Sequence, residues 1–88
     1  MPARLKNQGY LIYPSPFTSS FRIHHWIAPA DLQSAQVYNA VGQLMWEKDF
    51  NGNANTEENV DMSRAAAGTY VVKLIYTNKT VVERIVKQ

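Results

Sequence analysis

Polar and apolar positions alternate most cleanly between Gly68 and Tyr76. Tyr70, Val72, Leu74 and Tyr76 fall on one side of the chain and Lys73 on the other, the period of two of a half-buried strand. The residues are β-branched or aromatic, types that suit a pleated surface. Asn78-Lys79 reads as a turn, after which Thr80-Val81-Val82-Glu83-Arg84-Ile85-Val86-Lys87 returns as a second strand. A C-terminal hairpin therefore anchors the fold. Val81, Val82, Ile85 and Val86 are spaced as on a helical face, but their β-branching, the short length and the preceding turn decide for a strand.

The same pattern orders the rest of the chain. Met1 to Gly9 is polar, carries Pro2 and Gly9, and reads as a linker or frayed end (residues 1–9). Tyr10 to Tyr13 is a short strand stopped by Pro14 and Pro16, neither of which can donate to a ladder. Phe21 to Ile27 follows, with Phe21, Ile23, His25 and Ile27 on one face, and Ala28 to Asp31 turns the chain. Leu32 to Tyr38 is a third strand, and Asn39-Ala40-Val41-Gly42 a hairpin loop in which Gly42 takes a positive φ. Gln43 to Phe50 is a fourth, placing Leu44, Trp46 and Phe50 together on one face, and Asn51 to Asn55 is a polar loop tip. Thr56 to Met62 is a fifth, with Val60 and Met62 inward. Ser63 to Gly68 fits one helical turn, capped by Ser63 and ended by Gly68. About seven short strands separated by regular turn signals predict an all-β domain over residues 10–88, an immunoglobulin-like antiparallel β-sandwich.

Composition narrows the function classes. The 88 residues leave room for one domain. A chain this short buries roughly 60–65% of its unfolded surface, so its stability margin is thin. The absence of cysteine excludes disulfides and thiolate metal sites. The net charge of +2 is small and the basic residues are scattered, which argues against a nucleic-acid partner. No apolar run approaches the ~20 residues of a membrane helix. Met1-Pro2-Ala3-Arg4-Leu5-Lys6 lacks the apolar core of a signal peptide.

Candidate chemistry is sparse. His24-His25 invites a metal reading, but adjacent strand residues face opposite ways and cannot chelate one ion, so one packed and one solvated histidine is the expectation. Glu47-Lys48-Asp49-Phe50-Asn51-Gly52 with Glu58 matches a calcium-loop pattern, apart from Glu at its first position. That pattern needs flanking helices, and the flanks here read as strands, so no metal or cofactor is expected. A nucleophilic triad needs a Ser or Cys with a base and an orienting group, whereas the serines here sit in turns; no catalytic residue is assigned. Asp61, Gly68 and Tyr70 suggest a tyrosine corner, in which the Tyr70 hydroxyl bonds upstream backbone.

Four stretches together resemble the C-terminal sorting domain of the type IX secretion system, the Por system of certain Gram-negative bacteria. Leu11-Ile12-Tyr13-Pro14-Ser15-Pro16-Phe17 is similar to the opening "vYPNP" motif, with Ser15 where Asn is usual. Val37-Tyr38-Asn39-Ala40-Val41-Gly42-Gln43-Leu44 resembles the central hairpin motif. Asp61-Met62-Ser63 followed by Ala67-Gly68-Thr69-Tyr70-Val71-Val72-Lys73-Leu74 resembles "D-x-S…aGxYvvkl", and Val82-Glu83-Arg84-Ile85-Val86-Lys87 the terminal strand. The resemblance makes Pro14, Pro16, Asn39, Gly42, Asp61, Gly68 and Tyr70 structural motif residues. It implies a non-catalytic address that follows an N-terminal cargo protein. The implied partners are type IX translocon components and a sortase-like protease, and the implied location is the cell surface or medium, reached through the periplasm. The address is expected in the terminal strand at Arg84, Ile85, Val86, Lys87 and Gln88, whose free end offers itself for β-augmentation. Two other readings compete. One is an immunoglobulin-like adhesion or carbohydrate-binding module on an extracellular enzyme, with Trp26, Trp46 and the tyrosines as a platform. The other is a weak edge-strand dimer through the C-terminal strand, protected only by Glu83, Arg84 and Lys87.

Overall fold

Strands form where alternation is strongest in the computed structural model of the chain, which describes residues 9–14, 16–26 and 29–88. The expectations for residues 1–8, Ser15, Ile27 and Ala28 lie outside the described residues. The strands are β1 (Tyr10–Tyr13), β2 (Ser20–His25), β3 (Leu32–Asn39), β4 (Leu44–Asp49), β5 (Glu57–Asp61), β6 (Gly68–Tyr76) and β7 (Thr80–Lys87). β1, β6 and β7 have the limits the sequence pattern implies. The seven strands pair antiparallel with one another, in a three-stranded sheet β1-β2-β5 and a four-stranded sheet β4-β3-β6-β7. The architecture is an all-β sandwich. In a constant-type immunoglobulin domain the fourth strand joins the sheet of the first, second and fifth; here β4 pairs with β3 instead.

The core lies between the sheets. Phe21, Ile23 and Val60 from one sheet meet Leu32, Val37, Val72 and Leu74 from the other, all essentially inaccessible to water. Loop residues close its ends, with Phe17 against the Phe21 ring at 5.1 Å, edge to face.

Two bulges separate the structure from strict alternation. Gln33 is an extra residue between the pairs Leu32–Tyr76 and Ser34–Ile75. Its carbonyl accepts from both Phe50 and Asn51 backbone amides, which docks the Phe50–Asn53 turn against β3. Met45 is an extra residue on β4, since Val37 pairs with Trp46 and Tyr38 with Leu44. This bulge overturns the grouping of Leu44 with Trp46 and Phe50. Leu44 is moved to the outward side and is 49% exposed, while Trp46 stays inward and Phe50 is buried beyond the strand end.

The expected helical turn at Ser63–Gly68 is also absent. The Asp61 carboxylate accepts the Ser63 amide at 2.9 Å. The Ala65 amide then closes a turn on the Met62 carbonyl at 3.0 Å. The chain thus makes an Asx turn followed by one tight turn, and the backbone does not continue into a helix before Gly68.

Candidate functional site

The terminal strand alternates, but not by polarity. Val81, Glu83, Ile85 and Lys87 face the core side, and Val82, Arg84 and Val86 face outward. Two charged residues therefore point inward, and each has a partner. The Tyr10 hydroxyl donates to Glu83, and the Lys87 ammonium donates to the Ala65 carbonyl. Burial first, and the Glu83 carboxylate second, push the Tyr10 hydroxyl well above its ordinary titration range. Of the five expected address residues, Ile85 and Lys87 are thus buried, and Arg84, Val86 and Gln88 are exposed.

The end of β7 is not free. The Phe17 amide donates to the Val86 carbonyl at 2.9 Å, and the Gln88 amide donates to the Phe17 carbonyl at 2.8 Å, a parallel bridge with Phe17 buried beneath it. The segment after β1 crosses to the other sheet and covers the edge where the sequence suggested an open one. Sequence reading placed Phe17 at the end of the opening motif and gave it no packing role. Its one signal was a large aromatic residue standing alone between Pro16 and a Thr-Ser-Ser run.

The motif residues hold turns. Asn39 Oδ1 accepts from the Val41 amide at 3.1 Å and the Gln43 amide at 2.9 Å, while Gly42 sits at φ 86°. The Tyr70 hydroxyl donates to the Ala66 carbonyl at 2.5 Å, across the corner before β6. The Ser63 amide holds the Asp61 carboxyl below its usual range. Pro14 follows a cis peptide bond, and Pro16 is exposed just before the Phe17 bridge.

The histidines divide as the strand geometry requires. His25 is 4% exposed, with Nε2 2.7 Å from the Tyr76 hydroxyl and Nδ1 without a hydrogen-bond partner among the described residues. Burial, assisted by nearby His24, lowers its pKa, and burial together with Asp31 raises that of Tyr76 to about 12. His24 faces outward, 3.8 Å from Glu57. The calcium-pattern loop is flanked by strands. Glu58 turns inward to accept from the Asn55 amide at 2.8 Å and Lys48 at 3.1 Å, while Glu47 accepts from Gln36 on the outer face. Among the described residues no three His, Cys, Asp or Glu converge as a metal set. A cavity of about 210 Å³ lined by Met45, Asp61, Met62, Ser63, Arg64 and Ala65 brings no histidine to Ser63. Of the aromatic platform residues, Tyr10, Tyr70 and Tyr76 are core residues and Trp46 leans inward, while half-buried Trp26 lies 5.4 Å from His24, and Tyr13 and Tyr38 stand on the outward faces of different sheets.

The two outward faces differ. On the three-stranded sheet, Glu57 gathers Tyr13 at 2.7 Å, Arg22 at 3.5 Å and His24 at 3.8 Å. On the four-stranded sheet, cross-strand register places Leu44, Tyr38, Val71 and Arg84 in one row and Glu47, Gln36, Lys73 and Val82 in the next.

What fold and site define is a small β-sandwich with polar side chains in its turns, latches and edge protection, and with one outer face that mixes exposed apolar residues and cations. Residues 11–88 match the family model described as the secretion system C-terminal sorting domain, and the chain belongs to that family, the sorting domains of type IX secretion. No curated protein matches the chain. Sorting domains are non-catalytic, and membership implies a secreted or cell-surface protein handled by the type IX machinery.

Proposed function

We propose that the chain is a folded address that directs an N-terminal cargo protein through the outer-membrane type IX translocon, after which a sortase-like protease removes it. The route runs through the periplasm of a Gram-negative cell and ends in surface attachment or release. The family match over residues 11–88, which takes in all seven strands but for the first residue of β1, carries this reading. Recognition draws on the outward residues of the terminal strand, Arg84, Val86 and Gln88, while Ile85 and Lys87 hold that strand in place. β-Augmentation at the end of β7 is disfavoured, because the Phe17 bridge and the inward Glu83 and Lys87 are the devices that protect an edge.

The test is export. Residues 1–88 are fused behind a reporter with an ordinary signal peptide, in a host that carries the type IX machinery. The reporter is expected at the surface or in the medium. Retention in the periplasm, equal to that of the reporter alone, contradicts the address. Lys87→Ala is a poor probe here, since it breaks the latch to Ala65 and tests folding instead.

A further inference from the structure

The geometry points to the outward face of the four-stranded sheet as the docking surface for a protein partner that is apolar and carries carboxylates, and the occupant we commit to is a component of the type IX machinery. This deepens the address reading and rests on it.

Exposure is the first observation. Val82 is 59% exposed, Leu44 49% and Val86 42%, and all three stand on this one face. Register makes them part of a connected surface. Leu44 is opposite Tyr38, Tyr38 is opposite Val71, and Val71 is opposite Arg84, one row across all four strands. Val82 lies in the next row, beside Lys73. Isolated apolar residues on a surface need no account, but a connected set rimmed by polar groups marks an interaction site.

Charge is the second observation, and it names the partner's chemistry. Lys73 pairs with Val82 and Arg84 with Val71, so the two cations are diagonal neighbours on one face. Neither is in an ion pair among the described residues; the pairs there are Arg22–Glu57, His24–Glu57 and Lys48–Glu58. The acidic residue in the Lys73 row, Glu47, is at the far edge and accepts from Gln36 at 2.6 Å. Two like charges at diagonal positions on one face repel each other, more weakly than a directly opposed pair. A partner carboxylate placed between them removes that cost, while apolar side chains cover Leu44, Val71 and Val82. Arg84 offers a planar fork for such a carboxylate, and Lys73 a point charge. The contrast with the other sheet supports the choice, since there Glu57 already satisfies the cation Arg22 within the domain.

Three fusions in the exporting host test this, each first checked for the parental melting curve. Leu44→Thr with Val82→Thr removes apolar surface and keeps strand propensity. Lys73→Glu with Arg84→Glu reverses the charge. Asn59→Glu, on the outward face of the other sheet, is the control. Export of the first two is expected to fall roughly tenfold or more, as when central anchors of an interface are lost, with the control at the parental level. If the parent is not exported, the address reading falls and this inference with it. If the parent is exported and the first two variants match it, the address stands and the assignment of this face is overturned. Sedimentation of the isolated chain separates a further occupant. A concentration-dependent dimer that Leu44→Thr with Val82→Thr dissolves, with export unchanged, would make the occupant a second copy and overturn the commitment to the machinery.

Discussion

The two sheets share one core and turn very different faces to the solvent. The three-stranded sheet closes the charges of its outward face on one another, with Glu57 as the common partner of Tyr13, Arg22 and His24. The four-stranded sheet leaves valine, leucine and two cations with no ion pair among the described residues outward, and sends charges of its last strand inward, Glu83 to Tyr10 and Lys87 to Ala65. The difference teaches where selection for folding and selection for recognition act in so small a domain. The inward rows and latches make the sandwich stable and its edges unattractive to other strands. The outer face of the longer sheet contributes little to stability, so its composition is free to serve a partner.

That division is broken most severely from the inside. Tyr70→Ala is expected to cost about 3–5 kcal/mol, the usual range for truncating a buried aromatic residue, because Tyr70 is 4% exposed. In a domain of this size that approaches the whole margin. Denaturant melts read the effect, and an unchanged midpoint would place Tyr70 outside the core. Tyr70→Phe isolates the hydroxyl bond to Ala66 and is expected to cost about 1 kcal/mol.

Gly52→Ala comes next. Gly52 sits at φ 82°, and a Cβ there would meet the Ala30 carbonyl oxygen at 2.8 Å. The left-handed conformation alone costs an L-residue about 1–2 kcal/mol, and the contact with backbone adds to it. A loss below about 0.5 kcal/mol in chemical melts would show that the turn at Asn51-Gly52 relaxes freely.

Acid acts on the core side by a separate route. The folded-state pKa of His25 is depressed below its ordinary 6.5, so the unfolded chain binds the proton more readily. The contribution of neutral His25 is fully present above about pH 6.5 and is lost as pH falls through that value toward the depressed one. The groups around it are the Tyr76 hydroxyl, the Tyr10 ring, His24, Asp31 and Lys79. The melting temperature is expected to decline as pH falls below about 6.5, beginning above the range of the carboxylates. His25→Gln should flatten that decline; an equally steep one would assign it to other groups.

The smallest effects sharpen the comparison. Glu57→Ala and Val82→Thr change exposed positions on the two outer faces, and both are expected to move stability by no more than about 0.5–1 kcal/mol. They should part company in export, which Glu57→Ala leaves unchanged and Val82→Thr reduces.

Much of this was legible in the chain. Clean alternation fixed β6 and the side on which His25 packs, because those patterns are local and unbroken. The Tyr70 corner was legible as well, since its acceptor is four residues upstream. What strict alternation could not carry was the bulge at Met45, which adds a residue without altering composition and so turned Leu44 from core to surface. Nor could it anticipate Glu83 and Lys87 pointing inward. Their partners, Tyr10 and Ala65, are distant in sequence, and an isolated carboxylate or ammonium is ordinarily solvated. The Phe17 bridge was hidden for the same reason, as it joins the first connector to the last strand. The recognition face followed from these corrections, because only the true register shows which residues share it.

The most direct measurement places a photo-crosslinking benzoylphenylalanine at position 82 or at position 59 of the reporter fusion, in cells that are exporting it. Position 82 lies on the outward face of the four-stranded sheet and position 59 on that of the three-stranded sheet. The account predicts an adduct with a type IX component from position 82, lost in cells that lack the translocon, and none from position 59. Equal adducts from both positions, or an adduct from position 59 alone, would contradict it.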